Sequence, residues 1–133
     1  MSRFPAIEPS RLLVTLDCAH PANLAEFWSQ ALGYRVVGGD GVTFVALGPA
    51  DQRPMPPLYL QQVTEQKAVK NRQHLDLCCG NPEQMVGRLE AIGATRLGLP
   101  VGGRLWRWQV MRDPEGNEFC VVREGSDGLT QAP

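Results

Sequence analysis

Hydrophobic and polar positions along this chain follow two rhythms in turn, and the pair of rhythms repeats. Arg11 to Ala19, RLLVTLDCA, is rich in β-branched and apolar residues, which predicts a strand buried on both faces. In PANLAEFWSQALG the residues Leu24, Phe27, Trp28, Ala31 and Leu32 recur at helical spacing, and Gly33 stands where a C-cap belongs. Three short β-rich runs follow, YRVVG, VTFVAL and PLYLQQV, parted by Gly38-Gly39-Asp40-Gly41 and by the proline-rich loop Gly48 to Pro57. The order then starts over. RQHLDLCC predicts a strand, and NPEQMVGRLEAIG a helix with Asn81 as N-cap, Pro82 in its first turn, Gln84 as capping-box partner and Gly93 as C-cap. ATRL, LWRWQVM and EFCVV supply three further strands. Leu16-Asp17 returns as Leu75-Asp76 after 59 residues, Asn23 as Asn81 after 58 and Gly33 as Gly93 after 60. The pattern is two βαβββ modules, about 11–64 and 70–125.

Such a module has one helix for one face of a small curled sheet and no cover for the other. Two modules side by side are expected to bury a seam and turn their bare faces toward each other. The predicted fold is therefore α+β, an incomplete barrel around a cleft, with any function in the cleft. Residues 1–10 and 126–133 are too polar or proline-broken to pack, and are expected to be a flexible N-terminus and tail.

Composition narrows the function classes. A chain of 133 residues is expected to form a single domain at 11–125 with one sizeable core. No apolar run approaches the ~20 residues that span a bilayer, so no membrane partner is expected. A net charge of −1 with scattered Lys and Arg lacks the footprint needed to grip a phosphate backbone, which argues against nucleic acid. MSRFPAIEPSR lacks the apolar centre of a secretory signal, so a cytoplasmic protein is expected, with Cys18, Cys78, Cys79 and Cys120 as reduced thiols.

Three stretches, LDCAHPANLAEFWSQALGY, VKNRQHLDL and WQVMRDPEGNEFCVV, occur in this order and at a distinctive spacing. Together they resemble the vicinal oxygen chelate superfamily, the glyoxalase, bleomycin-resistance and extradiol dioxygenase group, over nearly all of Arg11 to Glu124. Its glyoxalase-like domain branch is the nearest in pattern. The resemblance implies a homodimer, as in many relatives. In metal-dependent members it implies two His or Gln/Glu residues and one or two Glu on the first, fourth, fifth and eighth strands, holding a divalent ion that acts as a Lewis acid. Carried over, the fifth-strand position is His74, and the eighth-strand position, usually Glu, is Cys120. The first-strand position is Val14 or Thr15 and the fourth-strand position Leu60 or Gln61, depending on the offset used. Only His74 suits a hard cation, so the resemblance implies no metal and no cofactor here. The one conceivable divalent alternative is a soft ion on His74 and Cys120, completed by Asp76, which shares a strand face with His74.

The remaining candidates each carry two readings. His74 is a general acid or base suited to neutral pH, or a half-buried histidine that bonds a neighbouring strand. Cys120 is a nucleophile activated by His74, or an inert thiol. Trp106, Trp108 and Phe44 offer flat faces to a planar ligand, although Trp106 and Trp108 share a face whose side, concave or helix-covered, stays open. Arg72 and Asp76, on the strand face of His74, either orient a carboxylate-bearing ligand or stand on a solvated rim. Arg104, in the loop Gly98 to Leu105, belongs to a lid or a plain connector, and His20 to a surface loop. The expected function is metal-independent binding of a small aromatic or carboxylate-bearing metabolite or antibiotic, with Gln61, Arg72, His74, Asp76, Trp108, Cys120 and Phe44 as its contacts. The alternative is a small lyase or isomerase using His74, with or without a metal. For a domain that works through a partner chain the sequence offers nothing positive.

Overall fold

A sheet with a helix on one side only must alternate buried and exposed positions along its strands, and the first strand does so. The computed structural model describes Pro9 and residues 11–51, 53–102 and 106–124. Residues 1–8, the tail from residue 125 onward and Arg104, all of which carried sequence expectations, lie outside the described residues. The chain forms two compact units, Met1–Val63 and Thr64–Pro133.

The first unit holds β1 (Val14–Cys18), α1 (Pro21–Leu32), β2 (Tyr34–Gly39), β3 (Phe44–Pro49) and β4 (Leu58–Gln62). Its sheet runs β1-β4-β3-β2, with β1 parallel to β4 and the other pairs antiparallel. In β1, Thr15 and Asp17 are exposed while Leu16 and Cys18 turn inward, so the expectation of a strand buried on both faces is corrected: one helix leaves one face bare. Leu24, Phe27 and Trp28 of α1 are buried together with Val45, Leu47, Leu58 and Leu60 of the sheet, and the Phe27 and Trp28 rings meet edge to face at 5.1 Å. Gly33 ends the helix at φ 68°, donating its N–H to the carbonyl of Ser29, as a left-handed cap requires. The β2–β3 turn is organised by Asp40, whose Oδ1 accepts from the amides of Val42, Thr43 and Phe44 at 2.9, 2.8 and 3.0 Å. The Thr43 hydroxyl and these three amides hold the Asp40 carboxyl well below the usual carboxylate range.

The second unit repeats the order with β5 (Asp76–Cys79), α2 (Pro82–Ala91), β6 (Thr95–Arg96), β7 (Trp108–Arg112) and β8 (Glu118–Arg123). Its sheet runs β5-β8-β7-β6, again with the outer pair β5/β8 parallel. Val86 and Leu89 of α2 and Met111, Phe119 and Val121 of the sheet form its core. Asn81 caps α2 by accepting the amide of Gln84 at 3.1 Å.

Three boundaries differ from expectation. β5 begins at Asp76, so Arg72 and His74 precede the strand and do not belong to its ladder. Upstream of it, the Asn71 amide donates to the Glu118 carboxylate at 2.7 Å and the Leu75 carbonyl accepts from the Cys120 amide at 2.9 Å. α2 closes at Ala91 with Ile92 as cap, leaving Gly93 one position beyond at φ 119°. β7 begins at Trp108, which takes Trp106 out of the strand.

Candidate functional site

The site is built on β8. Its launching turn, Asp113 to Asn117, is closed from within: Asp113 Oδ1 accepts from the amides of Glu115 and Asn117, both at 2.9 Å, and the Gly116 amide donates to the Asp113 carbonyl with Gly116 at φ 89°. From there the strand alternates. Phe119 and Val121 turn to the core, so Glu118, Cys120 and Val122 share the opposite face. The register brings Asp76 of β5 beside Cys120 on one side and Val110 of β7 on the other, with Trp108 opposite Val122.

A cavity of about 440 Å³ opens on this face, lined by Trp108, Val110, Cys120, Asp76, His74 and Lys70, with Val122 and Glu118 at its wall. Its polar side is anchored by Glu118, buried at 6% exposure, which forms an ion pair with Lys67 at 2.9 Å and accepts the Asn71 amide. These two bonds tie down the segment that carries Lys70 and leads into His74. Burial raises the Glu118 carboxyl, but Lys67 and the Asn71 amide outweigh it and hold the group below its ordinary range.

His74 Nδ1 lies 3.0 Å from Asp76 Oδ1. A carboxylate at Nδ1 fixes the ring and leaves Nε2 free to exchange a proton or bind an ion. Cys120 is buried at 8% exposure; burial, then the Asp76 carboxylate, push its thiol above the ordinary range against the opposing pull of Lys70. The resting thiol is therefore neutral, which disfavours unaided nucleophilic attack. The donor atoms of His74, Asp76 and Cys120 all lie within 4.8 Å of one another. One imidazole, one carboxylate and one thiol do not fit a hard divalent ion, which asks for oxygen ligands.

Of the residues singled out from sequence, His74, Asp76, Cys120 and Trp108 meet at this cavity. Arg72 is not part of its lining, because the chain before His74 is bonded to Glu118 and never enters the strand alternation that would align Arg72 with His74. Trp106 is separate too: the guanidinium of Arg96 lies 5.8 Å from its ring, and its carbonyl accepts from Arg123 Nε at 2.8 Å. Phe44 and Gln61 are register partners in the first unit, with Tyr59 edge-on to Phe44 at 5.1 Å. Sequence reasoning missed Lys70, Val110, Glu118 and Val122. The i, i+2 rule applied outward from Cys120 finds the last two, and applied from Trp108 finds Val110; nothing local marks Lys70.

Cys79 and Cys120 are free thiols. Among the described residues no helix is long and apolar enough to cross a membrane.

Residues 13–122 match the model of the glyoxalase-like domain. Solved structures share the fold. A glyoxalase/bleomycin resistance protein/dioxygenase family enzyme from Burkholderia phytofirmans PsJN is 18% identical, covering 84% of this chain and 95% of its own at a TM-score of 0.65. A glyoxalase-related enzyme from Fulvimarina pelagi is 15% identical over 87% and 89%, at 0.65. A glyoxalase/bleomycin resistance protein from Albidiferax ferrireducens T118 is 18% identical over 84% and 95%, at 0.57. No protein of curated function matches the sequence.

Proposed function

Because the chain belongs to the glyoxalase-like domain family, we propose that it binds a small planar, carboxylate-bearing molecule on the helix-free face of its second sheet, without the hard divalent ion of metal-dependent relatives. The observation that carries this reading is the cavity of about 440 Å³, whose wall sets Trp108, Val110 and Val122 against Lys70, His74 and Asp76. A volume of that order suits a small metabolite or antibiotic. An indole face stacks on a planar ligand, while a cation and an imidazole hold its carboxylate. The bleomycin-resistance names of two structural neighbours lend support to sequestration as the role. The proposal rests on the second unit alone. The proposed form is a cytoplasmic homodimer, on the strength of the family resemblance, and light scattering on the purified protein reads the subunit number.

The test is a fluorescence titration with planar aromatic carboxylates and antibiotics. Saturable quenching is expected, with affinity weakened roughly tenfold in Trp108→Ala, the order that loss of an aromatic contact gives. The absence of saturable binding by any planar compound would overturn the reading.

The His74–Asp76 bond of 3.0 Å favours a second reading, a small lyase or isomerase in which His74 Nε2 takes or gives a proton. His74→Ala then abolishes turnover, whereas a pure binder loses only part of its affinity.

A further inference from the structure

The helix-free face of the second sheet holds another cavity, also of about 440 Å³, at the end of β7 remote from Trp108. We propose that it binds a small oxyanion, a phosphate or carboxylate group held by Arg112 and Lys70. The site lies entirely within the second unit. This goes beyond the small-molecule reading and does not depend on it. Lys70 and Glu118 line both cavities, but Trp108, His74 and Cys120 line only the first and Arg112 only the second.

Alternation and register place the cavity. Arg112 continues the row of Trp108 and Val110 along β7, and it stands between Glu118 of β8 and Thr95 of β6. Leu97, two positions beyond Thr95, and Gly116 of the hairpin turn close two sides, and residues 67–70 form another wall. These walls are fixed by bonds of their own. Glu118 holds Lys67 at 2.9 Å and the Asn71 amide at 2.7 Å, gripping the segment that presents Lys70 on both sides of it. Asp113 closes the hairpin turn by accepting from the Glu115 and Asn117 amides. Gln109, fully buried, donates from Nε2 to the carbonyls of Gly98 at 3.1 Å and Leu97 at 3.4 Å, which pins the Leu97 side. A site held in this way loses little freedom when a ligand enters.

Charge decides what enters. Lys67, Lys70 and Arg112 face the space against Glu115 and Glu118. Lys67 and Glu118 neutralise each other, and the Lys67 ammonium also donates to the Val69 carbonyl. That leaves Lys70 and Arg112 against Glu115, a surplus of one positive charge in a walled space where the field is focused. Arg53, Arg96 and Arg123 are each paired with a carboxylate. Among the described residues, neither the Lys70 ammonium nor the Arg112 guanidinium has a hydrogen bond or an ion pair, so both donors are available. The planar fork of an arginine matches two oxygens of a phosphate or a carboxylate, and a lysine adds a point charge.

The experiment is a titration of the isotope-labelled full-length protein with inorganic phosphate and, separately, with malonate, at constant ionic strength and read by amide NMR. Expected is saturable movement of the Arg112, Gly116 and Lys70 signals with at least one of the two, and the tighter binder tells a phosphate site from a carboxylate site. Arg112→Gln, at an exposed position where folding is not at stake, weakens binding roughly tenfold or more, the order that a charge-assisted hydrogen bond gives. Lys70→Met weakens it as well. Arg88→Gln removes an exposed arginine of α2 in the same unit and leaves binding unchanged. The proposal is overturned by no saturation with either anion, by saturation that survives Arg112→Gln undiminished, or by an equal loss in Arg88→Gln, which marks attraction to net charge alone. Aromatic carboxylates titrated into Arg112→Gln, with tryptophan quenching as readout, keep the two readings apart, since Arg112 does not line the first cavity and their binding there stands or falls regardless of phosphate.

Discussion

The two units run the same strand order and hydrogen-bond frame, yet their helix-free faces carry different chemistry. An offset of 59 residues relates the parallel pairs, Asp17 with Gln61 as Asp76 with Cys120, and on the other side of the same strand Phe44 stands against Gln61 as Val110, 66 positions on, stands against Cys120. By the offset of 59 Thr15 corresponds to His74 and Tyr59 to Glu118. The carboxylate is common to both. Around it the first unit sets a hydroxyl, an amide and an edge-to-face aromatic pair, and the second an imidazole, a thiol and a buried ion pair. The scaffold explains the shared positions and the side chains explain the difference, so function has to be argued from the site and not from the repeat.

The largest expected effects test the shared part. Leu60 and Phe119 are equivalents on the core face of the central strands, 0% and 1% exposed. Leu60→Ala should cost about 2–5 kcal/mol and Phe119→Ala about 3–5 kcal/mol by denaturant titration. A negligible cost at one position would mean that its unit is not packed as its counterpart is.

A smaller effect tests the difference. Glu118 is held ionised below the ordinary glutamate range, so the stability it contributes is full above that range and lost as pH falls through its native value. Glu118→Gln should cost about 1–3 kcal/mol near neutral pH, the cost vanishing in acid, where the wild type loses its advantage. Its counterpart Tyr59 carries no such charge, its hydroxyl accepting from Arg11 at 3.2 Å. Tyr59→Phe should therefore shift stability little and with no acid dependence, as thermal melts at several pH values will read.

Much of the fold was legible in the sequence because two periodicities, two caps and a near-constant offset pointed the same way. Gly33, Asn81 and Pro82 marked helix ends from local chemistry alone. What was not legible depended on partners distant in sequence. β5 starts only at Asp76, with Glu118 bonding Asn71 upstream of it across 47 positions. That Arg72 drops out of the lining while Lys70 joins it follows from the same anchor. The side taken by Trp108 could not be read from alternation, since both faces of that strand are apolar enough to bury; the register with Val122 decides it. His74, Asp76 and Cys120 were visible singly, and their approach to within 4.8 Å required the β5/β8 pairing.

Amide NMR of the isotope-labelled protein, titrated with whichever planar carboxylate gives saturable fluorescence quenching, locates the bound molecule directly. The expected result is saturable movement of the Trp108, Val110, Cys120 and Val122 signals together with the His74 ring. Saturation of the ligand with all of these unmoved would contradict a binding face on the second sheet.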